Sequence, residues 1–118
     1  MAFNVIESSG KLISVKIKGK LEKVELDQMQ AIASELMKRE GKIKILVILE
    51  DFLGWEKGAD WEDTSFQLKH DSDIEKIAIV GDEKWRNLVF AFTGKPFRPV
   101  KIEYFTPSQL DQARAWIA

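Results

Sequence analysis

Two spacings divide the chain. Early on, Ile13, Val15 and Ile17 alternate with Leu12, Ser14, Lys16 and Lys18. One face is apolar and the other largely polar, as in a half-buried strand. "FNVIES", "SG" and "KLISVKIKG" predict a β-hairpin closed by Gly19. From 22 to 39 the interval lengthens to three and four residues. Leu26, Met29, Ala33, Leu36 and Met37 mark a helix, with Gly41 as its stop. "KIKILVILE" at 42–50 begins by alternating and becomes continuously apolar, the mark of a strand covered on both faces. A helix is predicted from about 57 to 70, then a strand over 73–82 that reaches Gly81. Asp82 caps the next helix, where Trp85, Leu88, Val89 and Phe92 share a face while Phe90 and Phe97 lie off it. After the loop "TGKPFRP" come a strand at 100–105 and a last helix, with Thr106 at its cap and Pro107 in first position.

The order β-β-α-β-α-β-α-β-α predicts an α/β fold. Strand–helix alternation after the hairpin requires right-handed crossovers and a mixed, mostly parallel five-stranded sheet. At 118 residues, 1–118 is read as one domain with enough apolar surface to bury without staples.

Composition narrows the chemistry. With Cys 0, thiolate catalysis, disulfides and cysteine-based zinc sites drop out. The N-terminus lacks the basic and apolar regions of a signal peptide. The longest apolar run, "ILVIL" at 45–49, is too short to span a membrane. A cytoplasmic, soluble protein is expected. Net charge of -1 argues against a nucleic-acid binder. The charge is unevenly spread: residues 50–75 are acidic, and 76–101 reverse the balance.

The stretch "EDFLGWEKGADWEDTSFQLKH" at 50–70 concentrates both acids and tryptophans. Acid–base catalysis needs two carboxylates in different environments facing one cavity. Here helical spacing groups Glu56, Asp60 and Asp63 on a solvated side. No calcium-loop spacing is present. His70, the single histidine, builds neither a zinc site nor a triad. No Gly-rich phosphate loop occurs, and Asp82 and Glu83 would repel an anion from the helix that follows Gly81. No catalytic residue, metal ligand or cofactor is therefore assigned.

The aromatics are a surplus. On a helical wheel, Trp61, Ser65 and Leu68 form one stripe and Trp55, Ala59, Glu62 and Phe66 another, wider together than one core needs. Both stripes are core, or one packs on the sheet while the other lines a cavity or contact surface. Aromatics flanked by Arg86, Lys95 and Arg98 suit a lid over an apolar pocket, a membrane surface or a dimer interface.

"EDFLGWEKGADWEDTSFQLKH", "DIEKIAIVGDEKW", the "KPF" loop and the final "ARAW" resemble the SpoIIAA-like proteins of the STAS class over nearly the whole chain. The resemblance implies a βα superhelix, shared with the CRAL-TRIO lipid-binding domains. Sporulation anti-anti-sigma factors of this class carry a phosphorylatable serine in an Asp-Ser-Ser-Gly-type motif after the strand matching 43–50. Here that place reads "EDFLGWEKGA", without serine; Thr64 and Ser65 lie farther along.

Residues and resemblance together predict a non-enzymatic domain that binds an apolar or lipid-like ligand between the sheet and two mobile helices, 57–70 and 83–92. Trp55, Trp61, Phe66, Trp85, Val89 and Phe92 are its expected lining. The helix at 83–92 and the loop to 99 are the expected lid. The alternative is a regulatory protein–protein module of the anti-sigma-factor-antagonist type, with Asp60, Glu62 and Asp63 as its contact surface. Peripheral membrane contact and a homodimer fit either reading.

Overall fold

The computed structural model describes residues 3–57, 70–93 and 100–118. Five strands form one sheet: β1 (Phe3–Ser9), β2 (Leu12–Leu21), β3 (Ile43–Trp55), β4 (Ile74–Val80) and β5 (Lys101–Phe105). Their order in space is β1-β2-β3-β4-β5. β1 and β2 are antiparallel, and every later pair is parallel. Three helices stand among the described residues: α1 (Lys23–Glu40), α2 (Arg86–Thr93) and α3 (Leu110–Ile117). The mostly parallel α/β architecture is the one that the strand–helix alternation predicts. The helix expected at 57–70 lies outside the described residues.

Each strand is laid down beside the previous one in the same direction. The right-handed crossovers therefore carry α1 and α2 to one face of the sheet. There Ile13, Val15, Ile77 and Ile102 pack with Ala33 and Leu36 of α1 and Val89 of α2. The chain continues past β5 and α3 covers the opposite face, where Leu46, Ala78 and Val80 meet Ala113 and Ile117. Coverage on both sides is what the unbroken apolar run of β3 requires. It also changes the expectation for β2: Ser14, on the face read as largely polar, is fully buried.

Helix ends are fixed by charge and hydrogen bonding. At the start of α1 the Glu22 N–H donates to the Glu25 carboxylate at 3.1 Å. The Lys23 N–H donates to the carboxylate of Glu56, just beyond β3, at 3.0 Å. An anion at this end also suits the helix dipole. At the far end of α3, Lys76 Nζ donates to the Trp116 carbonyl at 2.9 Å and stands 4.8 Å above its ring. Asp82 accepts from the Lys84 N–H at 2.9 Å, the capping role expected of it. Gln109 accepts from the Thr106 N–H at 2.9 Å, and Pro107 fills the first position of the final helical segment.

Two boundaries differ from the pattern reading. Gly19 does not end β2. It sits at φ 76° within a break of register, after which Lys20 and Leu21 pair with Gly54 and Trp55. β3 accordingly runs to Trp55 rather than Glu50. Trp55 is therefore a strand residue, and the helical wheel that grouped it with Ala59, Glu62 and Phe66 does not apply. The acids and glycine of "EDFLG" mimic a strand terminus, but cross-strand pairing overrides that local signal. On α2, Leu88 is 54% exposed instead of facing the core. Phe90, read as off the packed face, stacks edge-on against Tyr104 at 6.0 Å.

The end of β4 is tightly constrained. Gly81 donates its N–H to the Phe105 carbonyl at 2.9 Å. A Cβ at Gly81 would lie 2.6 Å from the Tyr104 hydroxyl and 3.1 Å from Leu49 Cβ. That hydroxyl is held in place by donating to the Asp82 carbonyl at 2.7 Å. Gly81→Ala is expected to destabilise the protein by about 1–3 kcal/mol in denaturant unfolding, through overpacking. Tyr104→Phe alone should cost about 1 kcal/mol from the lost hydrogen bond. If the clash is with the hydroxyl, the double variant loses less than the sum of the two.

Tyr104 also offers a pH test, because it is the only tyrosine in the chain. Burial, reinforced by the Asp82 and Glu83 charges, raises its pKa from 10.0 to about 12. The fold favours the neutral phenol, so this contribution is complete below pH 10 and disappears as the pH rises toward 12. Tyrosinate absorbance should rise near pH 12 in the folded protein and near pH 10 in urea. A folded-state step at the unfolded position would refute the assignment.

Candidate functional site

The register break determines which residues of β3 face α1 and α2. Lys18 pairs with Glu50 and Lys20 with Gly54, so Gly19 alone opposes Asp51, Phe52 and Leu53. In an unbroken strand Asp51 and Leu53 would continue the inward row of Ile45, Val47 and Leu49, and Phe52 would point away. The break turns Phe52 inward within the bulge and, because it adds two residues to β3, returns Trp55 to the row of Leu49, opposite Leu21. Phe52 becomes buried among Ile17, Leu21 and Trp55, and Leu53 is left 70% exposed. Asp51 bears the conformational strain at φ 49°, alone among the described non-glycine residues. Aspartate tolerates that region better than most side chains.

Four rings close around the bulge. Phe52 and Trp55 lie 5.2 Å apart, Phe52 and Trp85 5.0 Å, and Trp55 and Trp85 5.9 Å, all edge-to-face. Phe92 of α2 joins by a similar contact with Trp55 at 5.1 Å. Such pairs add about 0.5–1.5 kcal/mol each beyond burial. Gly54 supplies the φ of 100° that L side chains rarely adopt, and the Trp85 ring packs 3.4 Å from where a Cβ would lie, an ordinary contact distance.

Beside the rings is a cavity of about 200 Å³. Val15, Ile45, Val47 and Ile77 form its floor. Leu26, Met29, Gln30 and Ala33 of α1 make one wall, Val89, Phe92 and Thr93 of α2 another, and Phe52 and Trp55 stand at the end. Three of the six expected lining residues, Trp55, Val89 and Phe92, therefore border a single space. Trp85 is not among its lining residues; it packs edge-on against Phe52 and Trp55. Trp85 instead borders a second cleft of about 580 Å³ with Glu50, Asp51, Leu53, Asp82 and Lys84. Trp61 and Phe66 lie outside the described residues, as do Asp60, Glu62, Asp63, Thr64 and Ser65. The sequence reading missed α1 as a wall, although Leu26, Met29 and Ala33 carry helical spacing. It missed Phe52 because no periodicity reveals a bulge.

Charged groups near the site are largely engaged in structure. Glu50 pairs with Lys16 at 3.0 Å and, more distantly, with Lys18 at 3.9 Å. The hydrogen bond and charge of Lys16 hold its carboxyl below the usual carboxylate range. Glu56 binds the first turn of α1. Arg86, one of the cations expected to flank the lid, makes a two-pronged bond to Glu83 at 2.9 and 3.0 Å and lies over the Tyr104 ring. His70 Nδ1 is 3.7 Å from Asp73. Among the described residues no three His, Asp or Glu side chains are grouped to hold a metal ion. No described helix is long and apolar enough to cross a membrane.

Known structures share this architecture. An uncharacterized protein of Shewanella loihica PV-4 with a SpoIIAA-like fold superposes with a TM-score of 0.72 at 21% identity, covering 99% of this chain and 93% of its own. The anti-sigma factor antagonist SpoIIAA in its unphosphorylated form gives 0.61 at 14% identity, with 96% and 98% covered. The Bacillus cell fate determinant SpoIIAA in its phosphorylated form gives 0.52 at 13%, with 94% and 97% covered. At these identities the likeness is one of fold. No curated protein sequence matches the chain. The SpoIIAA-like family model, however, matches residues 12–118, from the start of β2 through α3. The chain belongs to the SpoIIAA-like family.

Proposed function

We propose that this SpoIIAA-like domain is a non-enzymatic binding module that holds an apolar or lipid-like small molecule between the sheet, α1 and α2. The cavity carries the reading. Protein interiors pack as densely as organic crystals. Here about 200 Å³ beside the sheet is left unfilled and opens to solvent, so its apolar walls stay in contact with water. A ligand that fills the space removes that apolar surface, and its own, from water. Trp55 and Phe92 supply flat, rigid walls, and Met29 an adaptable one.

A second reading, a regulatory protein–protein module, draws on Leu53. This large apolar side chain is thrust outward beside Glu50 and Asp51 by the bulge. The anti-sigma factor antagonist to which the fold is similar lends it weight. A phosphoserine switch at this position is not part of the reading, because residues 50–59 contain no hydroxyl side chain.

Ala33→Leu separates ligand binding from a simple packing defect. The added methyl groups project from α1 into the cavity and should raise stability by about 1–2 kcal/mol. Uptake of toluene, measured by calorimetry, should fall at least about tenfold. If purified wild-type protein carries no apolar molecule in native mass spectrometry and takes up no hydrophobic probe, the reading is lost. For the second reading, Leu53→Asp and the combined charge reversal of Asp60, Glu62 and Asp63 should each abolish capture of a protein partner while leaving toluene uptake intact. Capture that survives both changes removes it.

A further inference from the structure

The cavity's few polar atoms say more about its occupant than its many apolar ones. Among the described residues lining it, polar side-chain groups come only from Gln30, Thr93 and the indole N–H of Trp55, which can donate but not accept, and none is charged. The Thr93 hydroxyl is already committed, donating to the Phe90 carbonyl at 3.2 Å. Among the described residues no hydrogen bond engages the Gln30 amide. That amide offers both an acceptor oxygen and a donor nitrogen.

Building on the proposed cavity-binding role, we infer that the ligand is an uncharged compound with one hydrogen-bonding group, received by Gln30, and a compact apolar body. A carboxylate or ammonium drawn into this space would lose its hydration and meet no opposite charge on the described walls. A hydroxyl, ketone or amide loses far less and recovers it from a single bond to Gln30. Size sets the other limit. A dry apolar cavity of about 150 Å³ holds benzene. In proportion, a cavity of about 200 Å³ takes about eight heavy atoms. That describes a short alcohol or a small substituted ring and excludes a fully enclosed long acyl chain.

Calorimetric titration of the full chain with octanol, octanoate, palmitate and toluene tests this at neutral pH. Octanol and toluene should bind, octanoate at least about thirtyfold more weakly than octanol, and palmitate no better than octanoate. Gln30→Leu should weaken octanol about five- to tenfold while toluene binding holds or improves. Gln30→Met, which preserves side-chain length, is measured in parallel in case the branched residue disturbs α1. Octanoate or palmitate binding as tightly as octanol overturns the inference but leaves the cavity reading standing. Unchanged octanol affinity in both variants overturns the role of Gln30. If none of the four compounds binds, the cavity reading falls and this inference falls with it.

Discussion

Opposite Gly19 of β2, β3 spends three residues where the partner strand spends one, and the cavity side of the sheet depends on that mismatch. A strand presents alternate residues to alternate faces, so its sequence and its register must agree. Beyond Leu49 they do not: in an unbroken strand the next inward place would fall to Asp51, and the Phe52 ring would point away. The bulge restores agreement by spending two extra residues on β3. It brings Phe52 in, and the even number of added residues keeps Trp55 on the row of Leu49. Strain at Asp51 is the local cost, and the ring contacts among Phe52, Trp55, Trp85 and Phe92 offset it.

The two faces of the sheet are consequently unlike. Against α3 the packing is close, with Leu46, Ala78, Ala113 and Ile117 almost wholly buried. Against α1 and α2 a space remains, because the wide rings at the end of β3 meet α2 there while small Ala33 faces the cavity from α1. Two acids nearby have structural partners. Glu50 is paired with lysines and Glu56 ties the start of α1 to the end of β3. Together they fix the frame within which the cavity is held.

Much of the fold was legible because its signals are local and repeat. The alternation of Ile13, Val15 and Ile17 and the spacing of Leu26, Met29 and Ala33 each arise from one element's own period. The site was less legible because it depends on non-local pairing. Nothing between 50 and 55 reveals that Lys20 and Leu21 will pair with Gly54 and Trp55, so Phe52 went unnoticed and Trp55 was placed on a helix. Leu88 and Phe90 exchanged their expected roles for the same reason. Helical spacing identifies an apolar arc, but the neighbouring Tyr104 decides which edge of it is buried.

Strand order in this sheet follows chain order, β1 to β5, without exception. A chain emerging from the ribosome can close its hairpin first and then add each later strand to an edge that is still open. No strand has to be inserted between two already paired. Domains form from the N-terminal end during synthesis, and in this topology every partly made chain is already a correct fragment of the final sheet. What it lacks until after β5 is α3, so the face of Leu46 and Ala78 remains bare until that helix has been made. Vulnerability during synthesis is thus concentrated on one side of the sheet, and it is the side away from the cavity.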